Sequence, residues 1–192
     1  MQTRFILVVS SLLLLPVVGA GIFARLSAAS ANQTPRSPYV DKLSSPIRGL
    51  STREVDDLLN GRGAGFARMA ELNDYPGPRH VLDLKGQLNL SAKQTQQVQA
   101  AFEKMNVEAK RLGREIVAQE QRLSIAFADK TIAQQALQTQ TEALAMLYGK
   151  LRQTHLQAHL EITPLLSPKQ IATYNRLRGY TDGKTPIRHH GN

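Results

Sequence analysis

Val98, Phe102, Met105, Ala109, Leu112, Ile116, Gln119 and Leu123 succeed one another at alternating steps of four and three, and Leu137, Thr141, Leu144, Tyr148, Leu151, His155, Ala158, Ile162 and Leu165 do the same. Only a helix of 3.6 residues per turn puts such a series on one face; a strand needs alternation at every second residue. The spacing predicts two long amphipathic helices, the first from Ser91 to about Ala128 and roughly 55 Å long at 1.5 Å per residue. A break near Asp129-Lys130 and a short connection would fold the pair into an antiparallel hairpin. With 5% aromatic residues and no Trp, the core must be Leu, Ile, Val, Ala and Met, which suits a thin bundle better than a sandwich. The fold class expected is all-α: one long hairpin with short flanking helices.

Helix starts are written in the chain as well. Ser51-Thr52-Arg53-Glu54, Ser91-Ala92-Lys93-Gln94, Thr131-Ile132-Ala133-Gln134 and Ser167-Pro168-Lys169-Gln170 all have the form Ser/Thr-x-x-Glu/Gln. In that form the hydroxyl accepts from the backbone N–H three residues on, while the Glu or Gln side chain reaches back to the N–H of the cap. Leu90 and Leu166 stand where a hydrophobic staple would, and Pro168 suits a first helical position that has no use for an N–H. A short helix from the first box should end at Gly61, one beginning at Pro78 carries Val81, Leu82 and Leu84, and the last runs to about Gly179 with Ile171, Tyr174 and Leu177 inward. Gly113 and Gly149 each weaken a long helix by up to about 1 kcal/mol relative to Ala. With the turn at residue 129 they lie opposite Ala145 and Ala109, so close helix approach and local kinking both remain open.

The N-terminus points to export. Residues 5 to 24 form an apolar run after Arg4, followed by Ala29-Ser30-Ala31, so residues 1–31 are read as a signal peptide; the length of the run leaves an uncleaved anchor as the alternative. Its removal would take away Arg4 and Arg25 and no acid, leaving 22 basic against 15 acidic residues. No cysteine is present, which excludes a disulfide framework and thiol chemistry. A basic exported chain favours anionic lipid, envelope polymers or acidic protein segments, and nucleic acid least. Residues 32–77 read as a flexible Pro/Gly-rich segment with a short helix near 51–60, and residues 32–51 in particular as a linker without a core. Residues 61–66, GRGAGF, lack the preceding strand and the Gly-Lys-Ser/Thr of a nucleotide loop and read as a connector. Residues 78–180 form the helical domain and 181–192 a disordered tail.

Leu90, Ser91 and Gln94, with Leu166, Ser167 and Gln170, form two Leu-Ser-x-x-Gln helix starts flanking a long hairpin in a basic, cysteine-free, exported chain. This resembles the bacterial LTxxQ proteins, the Spy/CpxP-like periplasmic family with its zinc-resistance-associated and heavy-metal sensor relatives, over about half the chain. Ser stands where Thr is usual, which leaves the capping chemistry intact. The resemblance implies a cradle-shaped homodimer acting as an ATP-independent chaperone, which holds unfolded or aggregating envelope proteins under stress on a basic face with apolar patches. Lys104, Lys110, Arg111, Arg114 and Arg122 are the client-binding candidates. The plainer account of the same residues is a solvated face with Lys104/Glu108 and Arg111/Glu115 pairs at i, i+4.

Two other functions compete. Residues 155–161, HLQAHLE, put His155 and His159 one turn apart, the spacing at which two imidazoles share a Zn, Ni, Co or Cu ion, with Glu161, His80 or a second chain completing the shell. Against this, His155 lies in the apolar stripe, where an interhelical hydrogen bond would account for it, and His189-His190 lie in the polar tail. Leu156 replaces the Glu of a His-Glu-x-x-His protease, and no convergent acid pair or activated nucleophile appears, so no enzyme is expected; no cofactor is required, and a divalent metal is the one candidate. The third function is a regulatory partner of a membrane sensor protein.

Overall fold

The computed structural model describes residues 36–45 and 47–181. Residues 1–31, expected to be a signal peptide, and residues 182–192 with His189-His190 lie outside the described residues. The chain divides into two compact units, Met1–Val40 and Asp41–Asn192. In the first, the Val40 N–H donates to the Ser37 carbonyl and the Tyr39 N–H to its hydroxyl. The helical body lies in the second.

The described chain is all-helical, as expected. A 3-10 turn (Val40–Ser44) is followed by α1 (Thr52–Leu59), α2 (Arg68–Glu71), α3 (Pro78–Asp83), α4 (Ala92–Ala128) and α5 (Gln134–Ile162), then a second 3-10 turn (Thr163–Leu165) and α6 (Pro168–Leu177). Among the described residues no helix is long and apolar enough to cross a membrane. The long helices α4 and α5 pack on one another and carry two apolar clusters. In one, Leu112 and Ile116 of α4 meet Leu144 and Leu151 of α5. In the other, Val98 and Ala101 meet Ile162, Leu166 and Tyr174.

Three boxes form with both hydrogen bonds: Ser51 with Glu54, Ser91 with Gln94, and Ser167 with Gln170. The fourth does not. α5 begins three residues after Thr131, with Ala133 as an N-cap that makes no side-chain bond. Thr131 is already committed to the preceding helix: Lys130 turns left-handed at φ 57°, and the Thr131 N–H reaches back to the Ala126 carbonyl at 3.0 Å. This is a Schellman closure on a non-glycine residue, and it takes the donor that a capping box would need. Gly61 and Gly179 close α1 and α6 the same way, at φ 65° and 72°.

The segment expected to be a linker contributes to the core. Ile47 and Leu50 are buried against Leu112 and Ile116, and the Ser45 hydroxyl bonds the carbonyls of both Ile47 and Leu50. Residues held by turns need no periodicity, so a search for apolar period misses them. At the other end, Leu177 is 42% exposed rather than inward. Asn175 is buried in its stead, its amide donating to Asp74 at 2.6 Å. Along α5 the stripe fades toward the turn, with Thr141 exposed and Leu137 half-buried.

The two Leu-Ser-x-x-Gln starts meet. Gln94 Nε2 donates to the Leu165 carbonyl (2.8 Å) and to Gln170 Oε1 (2.9 Å). Gln170 Nε2 donates to the Leu88 carbonyl and to Gln94 Oε1, both at 3.2 Å. Each amide oxygen also accepts from its own cap, Ser91 N–H at 3.0 Å and Ser167 N–H at 2.8 Å. The two helix starts are thus locked to each other by a reciprocal pair of amides. Gln94→Ala and Gln170→Ala are each expected to cost about 2 kcal/mol, because truncation leaves half-buried partners unsatisfied. In urea unfolding the double variant should fall short of the sum by about 1 kcal/mol; strict additivity would mean that the amides act separately.

Candidate functional site

Between the two clusters, the helix faces carry residues of a different kind: Met105 on α4 and His155 and His159 on α5. Together with the 61–65 loop, α2 and α3 they line a cleft of about 700 Å³. The loop that the sequence marks as a connector is a wall of this cleft. Its backbone turns left-handed at Gly61, at Ala64 (φ 39°) and at Gly65 (φ 84°).

His155 is buried. Its ring stacks parallel on Phe66 with centroids 6.0 Å apart, and its Nε2 has no hydrogen-bond partner among the described residues. The interhelical hydrogen bond expected for it is not what holds it. Burial, with the neighbouring His159 adding to it, lowers the His155 pKa to about 4, so the ring is neutral at neutral pH. His159 is buried too, with its Nδ1 2.8 Å from the Tyr75 carbonyl. A carbonyl only accepts, so Nδ1 carries a proton. His80 lines the same cleft; burial and the Arg178 guanidinium lower its pKa.

Glu71 ties this side of the molecule together. It accepts from the hydroxyls of Tyr174 (3.0 Å) and Tyr180 (2.6 Å), and the Tyr174 oxygen in turn accepts from the Gly77 N–H at 3.3 Å. Burial and the carboxylate push the Tyr174 hydroxyl above its ordinary pKa. Sequence reasoning did not single out Glu71, Phe66, Tyr75 or Arg68. The one available signal was the turn Tyr75-Pro76-Gly77, which aims the Tyr75 carbonyl at His159.

The metal-shell candidates do not converge. Glu161 is exposed and pairs with Lys104 at 3.3 Å. Among the described residues no group of three His, Cys, Asp or Glu side chains could hold an ion.

The basic candidates on α4 sit on its outer side. Lys104, Arg111, Arg114 and Arg122 are exposed, and Lys110 is half-buried with its stem beside Gly61. Arg111 pairs with Glu108 at 2.5 Å and with Glu115. Arg122 bonds Gln119 at 3.1 Å through Nε. The expected Lys104/Glu108 pair is replaced, because Glu161 of α5 lies within reach of Lys104 and Arg111 engages Glu108. Large apolar side chains are exposed along the same helices: Val107 at 69%, Met146 at 62% and Leu160 at 60%, with Ile125 and Phe127 near the α4–α5 turn. Compared with known proteins, the chain matches no family model, no curated protein and no solved structure.

Proposed function

We propose that this chain is an ATP-independent, chaperone-like protein of the periplasm, akin to the Spy/CpxP group, which binds unfolded envelope proteins. In this reading the two long helices are the arms of an antiparallel hairpin that pairs with a second copy into a cradle. The observation that carries it is the exposure of Val107, Ile125, Phe127, Met146 and Leu160 on two long helices that also present Lys104, Arg111, Arg114 and Arg122 to solvent. Positive charge speeds the approach of an acidic unfolded chain, and exposed apolar side chains hold it by contact. The twin Leu-Ser-x-x-Gln starts support the kinship, and their amide lock gives the motif a physical reason to occur twice. The purified protein, without ATP, is expected to suppress light scattering by an unrelated aggregating protein. Undiminished scattering at stoichiometric excess removes the proposal.

A second reading places a divalent metal on His155 and His159. It is favoured by the His159 ring, whose Nδ1–H is held by a carbonyl in the manner of a metal ligand's outer bond. Two imidazoles in a cleft that four guanidiniums also line make a poor cation cage, so this reading stands behind the first. Unchanged His155 and His159 NMR resonances on addition of Zn, Ni, Co or Cu remove it.

A further inference from the structure

The cleft between the two apolar clusters carries one cation, Arg68, that no carboxylate of the described residues pairs with. Four guanidiniums line it, those of Arg62, Arg68, Arg79 and Arg178, against the two carboxylates of Glu71 and Asp83. Each carboxylate is already engaged: Asp83 accepts from Arg79 at 3.2 Å, and Glu71 accepts from two tyrosine hydroxyls and lies 4.0 Å from the Arg178 guanidinium. Arg62 is neutralised by ion pairs with Asp56 and Asp57. Arg68 is exposed and forms no ion pair among the described residues.

Apolar side chains share the lining with polar ones: Phe102, over which the Arg79 guanidinium sits at 5.8 Å, Met105 and Leu72 lie beside Asn106 and Tyr180. His155, 97% buried in the wall, leaves Nε2 without a partner. A buried polar atom with no partner is an uncommon cost in a native structure and marks a place where a ligand or water completes the bonding. One unpaired guanidinium at the rim, apolar side chains within and one unused polar atom form the pattern of a pocket for a small ligand, and 700 Å³ is the size of such pockets.

We infer that this cleft binds an organic carboxylate with an apolar, preferably aromatic, body: its anion meets Arg68 at the rim, and its body lies among Phe102, Met105 and the His155 ring, which Phe66 backs. Guanidinium matches carboxylate with two parallel hydrogen bonds. The inference stands apart from the chaperone reading, since a client held on the outer faces of the long helices does not need the cleft.

The same chemistry can come from a free small acid or from the C-terminus of a peptide. The test is titration of the whole protein with 2-naphthoate, with its neutral counterpart 2-naphthamide, and with a short Leu-ended peptide as free acid and as amide. Binding is followed by calorimetry and by the NMR resonances of Phe66 and His155. Naphthoate should bind and shift those resonances. Naphthamide and the Arg68→Gln variant should each weaken binding about tenfold, the loss expected for one charge-assisted contact. Arg114→Gln, on the outer side of α4, should leave binding unchanged. Tighter binding of the free-acid peptide than of naphthoate would identify a chain terminus as the natural ligand, and the reverse a small acid. Equal binding of naphthoate and naphthamide, indifference to Arg68→Gln, or no binding of either acid overturns the inference.

Discussion

Gly113→Ala is expected to unfold at a much lower urea concentration than the unaltered chain, with a loss of about 3 kcal/mol, at the upper end for overpacking a core. A Cβ at Gly113 would lie 1.9 Å from the Leu58 carbonyl oxygen and 2.6 Å from its carbon. These are backbone atoms, so no rotamer change relieves the clash. Leu58 is also fixed from its own side: its carbonyl accepts from the Gly61 N–H at 3.2 Å in the turn that ends α1, and its side chain is buried against Leu112. α1 would have to lift off α4 and take part of that cluster with it.

Gly149→Ala is the control. Nothing lies within 4 Å of a Cβ there, so the substitution should stabilise α5 by up to about 1 kcal/mol through helix propensity alone. Opposite signs from one substitution in two long helices would separate close approach from flexibility. A Gly113→Ala variant as stable as the parent would mean that α1 does not dock where the structure has it.

Stability should fall steeply as pH drops from about 6.5 to about 4, and His155 should account for the largest share. Its ordinary pKa is 6.5 and burial lowers it to about 4 in the folded chain. Between those values the unfolded state binds the proton and the folded state does not, so acid favours unfolding. The contribution is complete above about pH 6.5, declines through the window, and levels off below about pH 4, where both states are protonated. The full span corresponds to about 3 kcal/mol. His80, also lowered by burial, adds a smaller slope of the same sign. Urea unfolding of the parent and of His155→Leu at pH 7, 5.5 and 4.5 would measure this. The variant should show a flatter dependence, and parallel curves would place the acid sensitivity elsewhere.

The helices were legible in the sequence, and the cleft was not. The four-three spacing marked α4 to within a residue of its observed ends, and the Ser51, Ser91 and Ser167 boxes formed, because periodicity and capping are settled within one turn of helix. Thr131 had the same local form and failed, since a helix ending at Asp129 had a prior claim on its N–H. His155 and His159 were visible as a pair, yet nothing nearby in the chain announced Phe66 on one ring or Tyr75 on the other.

Local rules thus reached the helices, their starts, the all-α class and the absence of disulfide chemistry, as properties of residues three or four apart. What reserves Gly113 for the Leu58 carbonyl, turns two repeated glutamines into one lock and closes an arginine-lined cleft over His155 is contact between residues more than fifty positions apart. Such contacts depend on how finished helices pack, and no local pattern in the chain carries them.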